Sequence, residues 1–308
     1  MKIAVLCSGG DAAGMNAAVW RLNVLAAARG WQSFGIPRGF AGLMAAKAEP
    51  LQVEHTARMA RYGGTWLGVA RVANFRDQLD SAVSGLAHFD ALAVIGGNGS
   101  LAGAQALAER SGKPVVGLPA TIDNDVAATD LSIGHDTAIA FGLEMTDRQR
   151  DTAEALPRLF CLETLGGPTG HLAAAIGRLA GADVILIPEA PLARSAVVGA
   201  VRPGIEAGCP TLIVASEGYP DLHGFLETIS SEVGKRLRLS VLGHAQRGGV
   251  PTPRDRALAA AMAQTAIEAM ANGRSGIAAV TAGSPHLVAF SQSGDAAPPD
   301  LAAWRGLL

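Results

Sequence analysis

The sequence predicts an α/β chain with mainly parallel sheets, and three observations carry that prediction. Short, near-continuous Val/Ile/Leu runs recur along the 308 residues. Each run stops at a Gly-rich or polar turn. An Ala-rich helical pattern then follows. Unbroken apolar runs read as strands buried on both faces, and their alternation with helices implies βαβ units with right-handed crossovers.

The runs, in order, are "KIAVLC" from Lys2, "ALAVIGG" from Ala91, "PVVGLP" from Pro114, "LFCLETLGG" from Leu159, "DVILIPE" from Asp183, "TLIVASEG" from Thr211, "SVLGHAQ" from Ser240 and "GIAAVTAG" from Gly276. That is more than one modest sheet usually holds, so two α/β lobes are expected. The stretch "GDAAPPD" from Gly294 reads as a surface turn or a loose end.

Hydrophobic content of 49% against 17% charged marks a packed globular chain. A net charge of -2 argues against nucleic acid held on a broad basic face, yet a few arginines suffice for a small anion. The three cysteines (Cys7, Cys161, Cys209) suggest neither a disulfide framework nor a metal cluster. "MKIAVLCSGG" is too short an apolar run for a signal peptide, and no run is long enough to span a membrane. A cytoplasmic protein with no membrane partner is expected.

Ligands of such sheets sit beyond the carboxyl ends of the strands, so the polar clusters there are the candidates for chemistry. "SGGDAAGMN", Ser8 to Asn16, offers exposed backbone N–H groups before a helix N-terminus, which suits a phosphate. It matches neither a P-loop nor G-x-G-x-x-G; alone it could equally be a tight turn. "IGGNGS", Ile95 to Ser100, repeats the device, and two such turns favour a polyphosphate. "GLPATIDND", Gly117 to Asp125, sets Asp123 and Asp125 either side of an amide. One carboxylate could act as general base and the other could hold magnesium, although a capping Asp in an Asx turn has the same appearance. In "GHAQRGGVPTPRDR", His244 and Arg247 stand beside glycines as anion ligands, while Arg254 and Arg256 read as solvated charges. His55, His88, His171, His223 and His286 have no partner at ligand spacing and read as structural or solvated.

Taken together and in this order, "SGGDAAGMN", "GGTWLGVAR", "GGNGS", "TIDND", "GHDTA", "ILIPE" and "GHAQRGG" resemble the phosphofructokinase family, most closely its bacterial 6-phosphofructokinases, over nearly the whole chain. The resemblance implies two Rossmann-like three-layer lobes. A nucleotide lobe would comprise residues 1–134 plus 246–295, and a sugar-phosphate lobe residues 135–245 plus 296–308. It implies ATP and magnesium as donor and cofactor, and fructose 6-phosphate as acceptor. It also implies a homo-oligomer, a tetramer, with sites shared between subunits.

The resemblance assigns roles by position. Asp123 matches the general base for the sugar 1-hydroxyl, Thr121 a residue near the transferred phosphoryl group, and Asp125 a carboxylate supporting the metal. Gly10 and Arg71 match nucleotide-phosphate contacts, with Val72 and Phe75 beside the nucleotide. Gly97, Asn98, Gly99, Ser100 and Gly103 match the second nucleotide loop, and Phe40 lies near the adenine. Arg158, Arg238, His244 and Arg247 match the clamp on the 6-phosphate; in relatives the equivalents of Arg158 and Arg238 come from a neighbouring subunit. Leu165, Gly166 and Gly167 match a substrate loop, and Glu217 a contact to the sugar hydroxyls.

Departures from the family pattern leave alternatives open. Asn98 stands where the family's "GGDGS" has a magnesium-side Asp. A unit charge about 4 Å from a divalent ion is worth roughly 2 kcal/mol in water and about 8 at an effective dielectric of 20. Gly167 stands where the family has an arginine that neutralises the transferring group. These changes keep three other readings in play: a kinase of another phosphorylated sugar, a pyrophosphate-dependent enzyme, and a non-catalytic sugar-phosphate-binding module. Gly99 and Ala120 favour ATP over pyrophosphate, because pyrophosphate-using relatives carry Asp and Lys there. The intact "TIDND" speaks against lost catalysis.

The basic residues of the relatives' effector site are mostly absent. Trp20 and Val24 occupy two arginine positions, the "GCPT" loop before Thr211 lacks its Lys/Arg, and Arg150 remains. Weak or no activation by ADP is therefore expected; initial rates measured over a range of added ADP check this, and strong ADP activation would contradict it.

Overall fold

The computed structural model of the chain describes residues 1–70 and 72–301, so Arg71 lies outside the described residues. The strands are β1 (Lys2–Cys7), β2 (Gln32–Ile36), β3 (Glu49–Pro50), β4 (Ala91–Gly96), β5 (Val115–Pro119), β6 (Leu159–Thr164), β7 (Val184–Leu186), β8 (Thr211–Ser216), β9 (Leu237–Val241), β10 (Gly276–Thr281) and β11 (Ser284–Val288). The helices are α1 (Met15–Ala27), α2 (Gly39–Met44), α3 (Val53–Met59), α4 (Leu79–Leu86), α5 (Asn98–Ser111), α6 (His135–Ala155), α7 (His171–Leu179), α8 (Arg194–Glu206), α9 (Leu222–Glu232) and α10 (Pro253–Ala271).

The chain divides into two units. The first holds Met1–Thr137 and Arg247–Ala296; the second holds Ala138–Gln246 with the described residues from Ala297 on.

The first unit is built on a seven-stranded sheet of order β11-β10-β5-β4-β1-β2-β3. Its interior strands are parallel; only the edge strands β3 and β11 run antiparallel to their neighbours. Every residue of β4 is buried, as an apolar run demands when helices cover both faces. On one side α1 packs with α3 and α10, and α4 packs with α2 and α5 in a second group. The strand order reverses between β1 and β4. The register there pairs Cys7 with Ile95, and the Ser8 N–H donates to the Ile95 carbonyl at 2.9 Å. That crevice is the place in an open α/β sheet where ligands are held.

The second unit carries a four-stranded, all-parallel sheet of order β7-β8-β6-β9. Leu159, Cys161, Val184, Leu186, Ile213 and Ala215 form its core with α8 and α9 residues such as Val197 and Leu226.

Three details differ from the sequence reading. β2 ("QSFGI") was not visible as an apolar run, because polar residues and a glycine interrupt it. In "SVLGHAQ" the strand starts earlier, at Leu237, and ends at Val241, after which Gly243–Arg247 forms a 3₁₀ turn. In the "GDAAPPD" stretch, Asp295 forms an antiparallel bridge with Val126, while residues 296–300 carry no regular structure. Among the described residues, no helix is long and apolar enough to cross a membrane.

Burial also sets the thiol chemistry. Desolvation pushes the Cys7 thiol up to about 12 and raises Cys161 as well, so neither forms a thiolate readily. Cys209 is exposed. A thiol reagent at neutral pH should titrate one cysteine in the native protein and all three after denaturation; more than one fast native thiol would contradict the burial of β1 and β6.

Candidate active site

Three consecutive strands of the first unit end in the three loops singled out by sequence. β1 leads into the Ser8–Gly10 turn, β4 into Gly97–Ser100, and β5 into Ala120–Asp125. Close approach of the first two loops depends on Gly96, where a Cβ would lie 2.4 Å from the Ser8 carbonyl oxygen and 2.7 Å from the Ser100 hydroxyl. Together they line a cleft of about 560 Å³, within the range of small-molecule sites.

Gly97 caps α5, and its carbonyl accepts from the N–H groups of Ser100 (2.9 Å) and Leu101 (3.0 Å). The donors that helix geometry leaves for a ligand are those of Asn98 and Gly99, at the positive end of the helix dipole. Both residues line the cleft, as does Gly10. Arg247 lies on the same wall: its Nη1 donates to the Asp11 carbonyl at 3.3 Å, and a Cβ at Gly10 would meet that nitrogen at 2.5 Å. The sequence reading grouped Arg247 with His244; within the first unit its guanidinium rests on the Gly10 loop.

The far wall is aromatic. Phe40 and Phe75 stack with centroids 4.4 Å apart and planes 35° apart. Gly103 packs behind these rings: a Cβ there would sit 3.0 Å from the Phe40 ring and 3.3 Å from Phe75, so the glycine gives the ring pair its room. Val72 lines the same end of the cleft. A flat π-face beside helix N–H groups suits a ligand with a planar base and a phosphate tail.

The "TIDND" loop is strapped from behind. Thr121 Oγ1 accepts from the Asp123 N–H at 3.2 Å and donates to Asp123 Oδ2 at 3.5 Å. Asn124 adopts the left-handed conformation, φ 51°. Its Oδ1 accepts from Ser132 N–H (2.8 Å) and Ser132 Oγ (3.0 Å), and its Nδ2 donates to the Asp130 carbonyl at 3.1 Å. Ser132 Oγ in turn donates to the Thr121 carbonyl at 2.6 Å. Behind it, Asp255 accepts from the N–H groups of Gly134 and Thr137 and from the Thr137 hydroxyl. Burial pushes the Asp255 carboxyl above its ordinary value. Asp123 and Asp125 thus project into the cleft from a loop with little freedom to move.

Asn98 donates through Nδ2 to the Asp125 carbonyl at 2.9 Å and to Asp295 Oδ1 at 3.2 Å. Its Oδ1 is buried with no hydrogen-bond partner. Asn98, with that orphaned oxygen, and the carboxylate residues Asp123 and Asp125 all belong to the lining of one cleft. Such an oxygen donor set fits magnesium, which takes one or two carboxylates and draws the rest of its shell from water and substrate phosphates.

The second unit places the sugar-side candidates at two different edges of its sheet. Leu165, Gly166 and Gly167 follow β6, and Glu217 follows β8. The Gly167 N–H donates to Glu217 Oε1 at 2.9 Å, and the Leu165 N–H to Gln246 Oε1 at 2.7 Å. Gly167 has φ 56°, a backbone that a side chain strains. His244 lies in the turn after β9, at this same carboxyl end. Arg158 precedes β6, and Arg238 pairs across from Phe160 near the start of that strand. Six residues of strand span about 20 Å, so Arg158 stands well away from the carboxyl end of the sheet, and Arg238, the second residue of β9, lies toward the same amino end.

Sequence reasoning missed Gln246 and Asp295. Gln246 is buried and carries the "LGG" loop, yet it looked like a spacer between His244 and Arg247. Asp295 lies in a stretch whose composition signals only a turn.

With this geometry the chain matches the family described as Phosphofructokinase over residues 2–270. The chain belongs to the phosphofructokinase family. It is 41% identical over 283 residues to ATP-dependent 6-phosphofructokinase 1 of Thermus thermophilus, covering 90% of this chain and 88% of that one. It is 40% identical over 285 residues to the ATP-dependent 6-phosphofructokinase of Streptococcus pneumoniae, covering 90% and 84%. Among solved structures, the phosphofructokinase of Saccharomyces cerevisiae superposes with a TM-score of 0.88 at 28% identity, covering 94% of this chain. This chain spans 45% of that larger yeast chain. A pyrophosphate-dependent phosphofructokinase from Nitrosospira multiformis, 21% identical with a TM-score of 0.85, shares the fold.

The strapping makes a prediction. Asn124→Ala removes three hydrogen bonds and the short polar side chain that lets Asn tolerate a left-handed turn, a loss of about 2–4 kcal/mol. A clearly lower urea midpoint should follow, and an unchanged midpoint would show that the loop is held by something else.

Proposed function

We propose that this chain is an ATP-dependent 6-phosphofructokinase, transferring the γ-phosphoryl group of ATP to the 1-hydroxyl of fructose 6-phosphate. The observation that carries the reading is the first unit's cleft. It sets two helix N-terminal N–H groups, an aromatic wall and the rigid Asp123 carboxylate around one space. The aromatic wall favours a nucleotide over pyrophosphate, which has no base to stack. Gly99 agrees, since the space beside it is open. The named activity of the bacterial relatives supports the same donor and acceptor.

The chain's residues divide the work as follows. Phe40 and Phe75 hold the base, and the Gly10 and Asn98–Gly99 backbone holds the phosphates. Asp123 accepts the proton of the sugar 1-hydroxyl as that oxygen bonds to the γ-phosphorus and the bond to the ADP oxygen breaks. Asp125 and Asn98 Oδ1 would hold magnesium. When bound, that ion neutralises charge on the phosphates. Arg71 is proposed as a further phosphate contact, and Arg247 offers its charge to the same loop.

The first unit is assigned to the nucleotide and the second to the sugar phosphate, with Glu217 on the sugar hydroxyls and His244 on the 6-phosphate. Arg158 and Arg238, at the other edge of the sheet, are assigned to the site of a neighbouring copy. That supports a homotetramer with shared sites. The enzyme is placed in the cytoplasm, where glycolysis runs.

A coupled assay with ATP, magnesium and fructose 6-phosphate tests the proposal. Turnover is expected, and Asp123→Asn should lower kcat by about 10²–10⁴-fold while fructose 6-phosphate still binds. Wild-type turnover of a different phosphorylated sugar would move the assignment to that acceptor. Turnover that survives Asp123→Asn would remove Asp123 as the base.

A further inference from the structure

The buried Oδ1 of Asn98 has no protein partner, and a buried orphan acceptor carries a desolvation cost unless something else uses it. What fixes its orientation is the other end of the amide. Asn98 Nδ2 donates to two acceptors, the Asp125 carbonyl and Asp295 Oδ1. A flipped amide would set oxygen against a carbonyl and a carboxylate. The bond to Asp295 is charge-assisted and therefore the stronger kind.

Asp295 is not placed there by a wandering side chain. Its backbone bridges Val126, with the Ala127 N–H donating to the Gly294 carbonyl at 2.9 Å and the Ala296 N–H to the Asp125 carbonyl at 2.8 Å. The segment from Gly294 to Ala296 is thus laced directly onto the "TIDND" loop. We propose that Asp295 is a positioning residue: it pins the Asn98 amide so that Oδ1 is presented to the cleft as a ligand for the nucleotide-bound cation. This rests on the functional reading above, since it needs a metal–nucleotide in the cleft.

The test measures affinity for a non-hydrolysable ATP analogue, with and without magnesium, by calorimetry on the full chain. The readout is the ratio of the two dissociation constants. Asp295→Ala should reduce the magnesium gain by about tenfold with metal-free affinity unchanged. Asp295→Asn keeps an acceptor for Nδ2 and should retain most of the gain. Asn98→Ala should lose the gain to the same extent, and the double variant Asn98→Ala/Asp295→Ala should lose no more than either single one. Asp295 is exposed, so its variants should fold, and their melting temperatures check that.

An unchanged ratio in Asp295→Ala overturns the inference. So does an equal loss with and without metal, which marks a general structural role. A loss in Asp295→Asn as large as in Asp295→Ala overturns it too, because the charge would then act on the cation directly. If the wild-type protein binds the analogue with no gain from magnesium, the functional reading fails together with the inference.

Discussion

The site depends on how close β1 and β4 come at the point where the strand order reverses. There the Ser8 N–H bonds the Ile95 carbonyl, and Gly96 carries no Cβ to push the next turn away. Two Gly-rich turns therefore open side by side, and their N–H groups face one cleft. This arrangement supplies positive potential from backbone dipoles alone. It needs no lysine, and it explains why a chain with a net charge of -2 can address a polyphosphate.

Everything else in the first unit fixes groups against that pair of turns. β5 lies on the far side of β4 and delivers the Thr121–Asp125 loop to the same edge. The loop is held at both ends. Asn124 and Ser132 tie it to the chain behind, and the Gly294–Ala296 segment pairs with it in front. A carboxylate can act as a base only from within hydrogen-bond reach of its proton. The straps convert a turn into a platform that can meet that demand.

The strands were legible in the sequence because burial on both faces demands unbroken apolar runs, and β1, β4, β5, β6 and β8 are written that way. β11 was not. It is a half-buried edge strand, and the Ala282–Gly283 turn that leads into it has φ values of 48° and 75° without the usual Asn-Gly or Asp-Gly signature. The cleft loops were legible through their glycines and carboxylates, which cluster locally. Asp295 and Gln246 were not, because their roles come from long-range bonds. Asp295 meets a residue 197 positions away, and Gln246 one 81 positions away. Nothing in composition or spacing records such a meeting.

The two departures at Asn98 and Gly167 differ in kind. At position 98 the side chain keeps an oxygen, and the surrounding acceptors orient it, so the change removes charge but preserves donor geometry. At position 167 the side chain is gone, and the left-handed backbone would strain a replacement. There the Gly167 N–H engages Glu217 instead, so the loop backbone holds that carboxylate. Under the proposed function, neutralisation of the moving phosphoryl group would fall to groups that line the first unit's cleft: the N–H groups of α5 and the Arg247 guanidinium on the Gly10 loop. Fixed dipoles need no reorganisation as charge develops, whereas a flexible arginine must be held in place to do the same work.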